Sequence, residues 1–422
     1  MSSCGECCCW CCCCWKSFRI LEDEERRKPL IGEEERQELT QKKSSGSQLY
    51  VRSVYSAFQN HFQNDEDSKI LWESLSLFDI LSTVYRISRY RETRIRKGLV
   101  SIPPKDPSIQ FPLTPGDVKG WLFFAEAAYE SKDKYLRRRL LERSHQLVLH
   151  ERRCRLFEPS HYLSMSTNTD DKTIVVGIKG TSSMDDWLTN FWISKEELKV
   201  DSSLTDDEEV IGQKRDFGVH AGILHASRFV LSRIEPLLNR AFYPSGFNVI
   251  LVGHSLGAGV ASVLAMLLRE ELGMERVTCF AFAPPPAVSF FLAERSKAYI
   301  FSVVNNDDAI PRTGVKQIKT LVAGIKKLRN RKETLDGNWE QVEKELDTMP
   351  WSYLEQIFSE EWTENKFDTF IPGRILFLYD YGEKVQGYVE IPSTTPTLRL
   401  AVISSKMISD HAIPSYQKAL NN

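Results

Sequence analysis

The chain has 422 residues and a formal net charge of -2, with 42% hydrophobic and 27% charged residues. That is an ordinary globular composition, long enough for one large domain with insertions or for two domains. The charge balance excludes bulk attraction to nucleic acid, and no run approaches the ~20 apolar residues needed to cross a bilayer.

The N-terminus reads MSSCGECCCWCCCCW and holds eight of the ten cysteines: Cys4, Cys7, Cys8, Cys9, Cys11, Cys12, Cys13 and Cys14. It lacks a basic n-region, carries Glu6 early and offers no small-residue cleavage site. It therefore does not read as a secretory signal, and a reducing compartment argues against a disulfide framework. A zinc site could use Cys4 and Cys7, but no second ligand pair follows at suitable spacing. No metal and no cofactor are expected. Residues 1–20 are read as a segment for S-acylation at a membrane face. Trp10 and Trp15 suit the interface, and Lys16 and Arg19 suit anionic headgroups. Ser2 does not offer the glycine that myristoylation requires.

Residues 21–48 are highly charged, end in a Ser/Gly run and read as a flexible linker. From 49 to 114, apolar residues at helical spacing predict an N-terminal helical region. Its basic stretch RISRYRETRIRK (86–97) reads as a solvated helix face, with contact to lipid phosphates as the sharper alternative. A Pro-rich break closes the region. From 115 to 422 the chain reads as one α/β domain. VKGWLFFAEAAYE and KYLRRRLLERSHQLVL predict helices. Strands are predicted at 161–167, 172–179, 248–253, 277–283 and 298–305, and helices at 223–242 and 259–273. The alternation signals a mostly parallel sheet flanked by helices.

The most informative stretch is NVILVGHSLGAGVASVLAMLL. Gly253, His254, Ser255, Leu256 and Gly257 form G-x-S-x-G between an apolar strand and an apolar helix, the context of a nucleophile elbow. So tight a turn strains the serine and leaves no room for side chains at Gly253 and Gly257. A serine needs a base. On this architecture the order is Ser, then an acid, then His. Of eight histidines only His411 follows Ser255. The acid should lie in a loop at the C-terminal end of a strand, which leaves Asp307, Asp308 and Asp380. Asp410 adjoins His411, and neighbouring side chains tend to diverge. Spacing does not choose between Asp307 and Asp308. For an oxyanion, one donor is the Leu256 amide; Thr181, in the loop after TIVVGIK, is the choice for the second.

Together, GTSSMDDWLTN, FGVHAGILHA, GHSLGAG, NNDDAIPR and DHAIPSY resemble the class 3 lipases, a branch of the α/β-hydrolases, in order along residues 115–422. The resemblance implies an α/β-hydrolase fold. It selects Asp308, three residues before the proline, as the acid. It is similar above all to the sn-1-specific diacylglycerol lipases, but without the four membrane-spanning helices that open the animal enzymes of that type. It thus implies a membrane-associated serine lipase acting on the sn-1 ester of diacylglycerol, peripheral on a cytoplasmic membrane face, with the bilayer and its glycerolipid as partners. The alternatives are a triacylglycerol lipase or phospholipase A1 and, of another class, an inactive lipid-binding scaffold. A lid is expected within 187–217, with Trp187, Phe191 and Trp192 as candidate lipid-facing residues. The insertion 314–370 contains a basic helix with Ile318, Leu321, Val322, Ile325 and Leu328 at helical spacing. It suits an anionic membrane or a protein regulator, or it packs on the domain.

Overall fold

The computed structural model describes residues 83, 86, 87, 90, 93, 111–155, 157–180, 195–199, 215–335, 338–349, 368–380, 386–399, 404 and 406–421. The cysteine segment and linker lie outside these residues, as do most of the helical region and Thr181, Trp187, Phe191 and Trp192.

The fold starts from strands too apolar to face water. β1 (His145–Glu151), β2 (His161–Ser166), β3 (Thr173–Ile178), β6 (Asn248–His254), β7 (Val277–Phe282), β8 (Ile300–Asn305), β9 (Arg374–Asp380) and β10 (Gln386–Ile391) form one sheet in the order β1-β2-β3-β6-β7-β8-β9-β10. The five strands from β3 to β9 are parallel, and both edges are antiparallel. Every residue of β3 is buried, as a strand covered on both faces requires. β4 (Lys195–Glu197) and β5 (Gly218–His220) form a separate pair.

Successive side chains point to opposite faces, so each strand feeds two cores. Ile174, Val176, Leu251 and Ala281 pack with α3 (Ala221–Leu237) and α4 (Leu256–Met266). Val175, Val252, Phe280 and Phe282 pack with α1 (Pro115–Ala127), α2 (Asp133–Leu141) and the terminal helix Ile413–Ala419. The architecture is an α/β-hydrolase sheet flanked by helices.

One expectation fails. The run read as a single helix over 134–149 breaks at Leu141, Ser144 takes φ 55°, and 145–151 becomes the edge strand β1. His145 and Leu147 are buried while Gln146 and Val148 are exposed. This period of two was masked in the sequence by the leucines that precede it.

The basic helix exists as α6 (Val315–Thr334), after the short α5 (Phe290–Arg295). Leu328 is buried against Val342 and Leu346 of α7 (Trp339–Thr348) and against Ile87 and Tyr90, with Leu321 partly buried against the same group; Ile325 is also buried. The described part of its apolar stripe, Leu321, Ile325 and Leu328, is therefore turned into the chain itself. The side chains of Ile318 and Val322 lie outside the described residues. Two further helices, α8 (Pro396–Arg399) and α9 (Ile413–Ala419), complete the fold.

Candidate active site

β6 runs into Ser255, whose φ of 62° and ψ of -133° are strained for a residue with a side chain. Such a conformation costs about 1–3 kcal/mol and persists only when its surroundings impose it. The imposing contacts are visible. The Ser255 amide donates to Phe282 O at 2.9 Å, and α4 begins at once behind it. A Cβ on Gly253 would stand 2.2 Å from Gly257 O, and one on Gly257 would stand 2.3 Å from Ile178 O. Neither backbone can retreat, so both positions require glycine. The Leu256 amide lies at the start of α4, where the first N–H groups have no intrahelical acceptor and the helix dipole favours negative charge.

Ser255 Oγ lies 3.0 Å from His411 Nε2, and His411 Nδ1 lies 3.0 and 3.1 Å from the two Asp308 oxygens. A carboxylate only accepts, so the ring proton sits on Nδ1 and leaves Nε2 to accept from the Ser255 hydroxyl. Asp308 is fully buried, yet its carboxyl is held below its ordinary value. Burial alone would raise it. The His411 ring and donation from His411, Tyr416 and the Ile310 amide outweigh that burial. Tyr416 donates to Asp308 at 2.7 Å and accepts the Asn305 amide at 3.1 Å. Burial, then the Asp308 charge, pushes the Tyr416 hydroxyl well up, so it stays a donor.

The acid loop is braced from two sides. Arg312, buried to 1% exposure, donates to the carbonyls of Asn306, Asp308 and Thr397. Asp410, beside His411 in sequence, turns away from the ring. It accepts from Asn306 Nδ2 at 2.8 Å and from the Asp307 amide at 3.2 Å. Asp380 closes β9, and its amide meets the Asn306 side chain at 3.4 Å.

His254 was singled out only as the variable position of the elbow. It is buried, and burial, with repulsion from His411 second, pushes its pKa down to about 3. The ring is therefore neutral near pH 7. His254 Nε2 lies 2.8 Å from the His411 carbonyl, which can only accept, so Nε2 carries the proton. Nδ1 must then accept, and the Tyr129 hydroxyl donates to it at 3.1 Å. The Gly180 amide donates to that hydroxyl. One directional chain thus links the end of β3, the elbow and the histidine loop. Tyr129, Arg312 and Tyr416 carried no sequence signal as site residues, although Tyr416 closes the DHAIPSY stretch.

Residues 175–317 match the family model described as lipase (class 3). The matched segment contains Ser255 and Asp308, and His411 follows it. The chain is 34% identical over 154 residues to mouse diacylglycerol lipase-beta, covering 36% of this chain and 21% of that protein. It is 26% identical over 152 residues to secreted mono- and diacylglycerol lipase 1 of Fusarium solani, covering 35% of this chain and 41% of that one. The lipase from Rhizopus microsporus var. chinensis is a structural neighbour at 16% identity and TM-score 0.44, covering 74% of this chain and 92% of its own. The chain thus spans about a fifth of the length of the mouse relative.

If His254 positions the His411 backbone, His254→Phe should lower kcat for a soluble ester by about 10–100-fold, the range expected for small misplacements of a reacting group. KM should stay within about twofold, because no ground-state contact is lost. His254→Gln, which can still present a donor to the His411 carbonyl, should recover most of the rate. Equal losses in both variants, tracking their melting temperatures, would reduce His254 to packing.

Burial, assisted by the neighbouring Asp307, pushes the Asp410 carboxyl up to about 6 from 3.8. The folded state therefore holds that proton more tightly than the unfolded chain. Its contribution to stability is fully present below pH ~3.8 and is lost as pH rises through ~6. Asp410→Asn should consequently gain stability relative to the parent between pH ~4 and ~7, read as urea midpoints. Parallel profiles would contradict this.

Proposed function

We propose that this chain is a serine lipase that hydrolyses an acyl ester of a glycerolipid, with the sn-1 ester of diacylglycerol as the favoured substrate. The observation that carries the reading is the unbroken line from Ser255 through His411 to the buried Asp308. His411 Nε2 takes the Ser255 proton as Oγ attacks the ester carbonyl. The oxyanion is held by the Leu256 amide and, in this reading, by Thr181. Collapse expels the glycerolipid alcohol, which takes the proton from His411. Water, deprotonated by the same ring, then attacks the acyl-serine; the fatty acid leaves and Ser255 regains its proton. Asp308 holds the imidazolium throughout. The activities for which the mouse and Fusarium relatives are named support the substrate class, and the sn-1 preference rests on the sequence resemblance.

No described helix is long and apolar enough to cross a membrane. In the proposed arrangement the clustered cysteines from Cys4 to Cys14 are S-acylated and keep the enzyme on the cytoplasmic face of a membrane. Two acyl chains already give stable attachment.

Ser255→Ala should abolish both fluorophosphonate labelling and fatty-acid release while leaving the folded protein intact by circular dichroism. Retained release in the purified variant would end the proposed mechanism. A lipid panel resolves the substrate: sn-1 release from diacylglycerol supports the reading, whereas preference for triacylglycerol or for the sn-1 ester of phospholipids replaces it.

Replacing the eight N-terminal cysteines with serine should move the protein from the membrane to the soluble fraction of expressing cells and remove hydroxylamine-sensitive acyl label. An unchanged membrane fraction would exclude acylation as the anchor.

A further inference from the structure

The sheet registers locate a basic rim beside the serine. Glu151, the last residue of β1, pairs with His161; His161 pairs with Ile178, and Ile178 pairs with Gly253, two residues before Ser255. The end of β1 therefore stands at the same end of the sheet as Ser255, three strand spacings away, or about 15 Å. Arg152, Arg153 and Arg155 follow β1 there, and all are exposed. The start of α2 is tied to the same place: Asp133 bonds His150 Nδ1 at 2.9 Å and lies 3.8 Å from Arg152 Nε. That brings the exposed Lys132 and Lys134 alongside.

An apolar group sits among these cations. Tyr135 is 51% exposed, among the most exposed large hydrophobic residues described, and Lys132 Nζ lies 5.9 Å from its ring centroid. Among the described residues, the carboxylates nearby are half-buried and engaged: Asp133 as above, Glu130 with Arg139, and Glu151 with the Arg153 amide. Glu158 is also half-buried. Among the described residues the outward charge at this rim is thus positive, although the whole chain is slightly acidic. Exposed cations around an amphipathic aromatic match the chemistry of a negatively charged headgroup layer.

We propose that Lys132, Lys134, Arg152, Arg153 and Arg155, with Tyr135 among them, dock the serine-bearing end of the sheet on an anionic lipid bilayer. The inference rests on the lipase reading above and adds to it an orientation. The N-terminal anchor keeps the enzyme near the membrane, and the rim turns the mouth of the site toward the lipid. Because the contact is electrostatic and exposed, salt should weaken it.

The test uses full-length protein made without acyl chains, carrying Ser255→Ala, and vesicles of phosphatidylcholine with or without phosphatidylserine. The parent should sediment with the phosphatidylserine vesicles and lose that binding in high salt. The combined variant Lys134→Glu, Arg152→Glu, Arg153→Glu, Arg155→Glu should bind them at least about tenfold more weakly. A control, Lys172→Glu with Arg240→Glu, reverses exposed charges at the opposite end of the sheet and should bind like the parent. With Ser255 restored, the rim variant should lose hydrolysis of vesicle-borne diacylglycerol yet hydrolyse a soluble ester at the parental rate. Parental vesicle binding by the rim variant, equal binding of the parent to neutral and anionic vesicles, or an equal loss in the control would overturn the proposal. Absence of soluble-ester hydrolysis in the parent would instead refute the lipase reading, and the sedimentation result would stand apart from it.

Discussion

A fully buried carboxylate is costly to keep charged, and the Asp308 carboxylate is the point on which this site depends. Burial opposes its ionisation, so the surrounding structure must supply donors. It supplies them from three places: the Ile310 amide within the acid loop, the Tyr416 hydroxyl from α9 and the His411 ring from the preceding turn. Arg312 then fixes the loop carbonyls around it. Two further consequences follow from a charged Asp308. The His411 tautomer is determined, and with it the free lone pair that faces Ser255. Burial, reinforced by this charge, keeps the Tyr416 hydroxyl from ionising.

The histidine loop has little regular structure of its own, and its position comes from neighbours. Asn305 Nδ2 bonds the Asp410 carbonyl at 2.9 Å, the Met407 carbonyl accepts the Ala309 amide at 3.0 Å, and His254 holds the His411 carbonyl. The last of these is unusual in its economy. The residue beside the nucleophile points its ring under the base and reaches on to Tyr129, so the geometries of the two reacting groups are coupled through one neutral imidazole. Its depressed pKa keeps that imidazole from charging next to His411.

The parts legible in the sequence were those encoded locally or by elimination. Ser255 lies in a short pattern whose glycines have a steric reason, and His411 is the only histidine after it. Four of the five parallel strands, β3, β6, β7 and β8, announced themselves as apolar runs. Asp308 needed the family resemblance, because Asp307 has the same local setting. Tyr129, Arg312 and Tyr416 were illegible because their partners are distant in sequence: Arg312 with Thr397, Tyr129 with His254, Tyr416 with Asp308. The strand 145–151 was misread because Leu140 and Leu147 satisfy a helical period as well as the burial of an edge strand.

The order in which the chain emerges during synthesis gives Tyr416 another meaning. The elbow, with its strained serine, is complete once α4 and β7 have formed, but the base and the tyrosine donor to Asp308 lie more than 150 residues after Ser255. Until α9 docks, the Asp308 carboxylate lacks two of its donors and Ser255 has no base. A nascent chain in this state holds its nucleophile without the means to use it. Activation is thereby deferred until the rest of the sheet has folded.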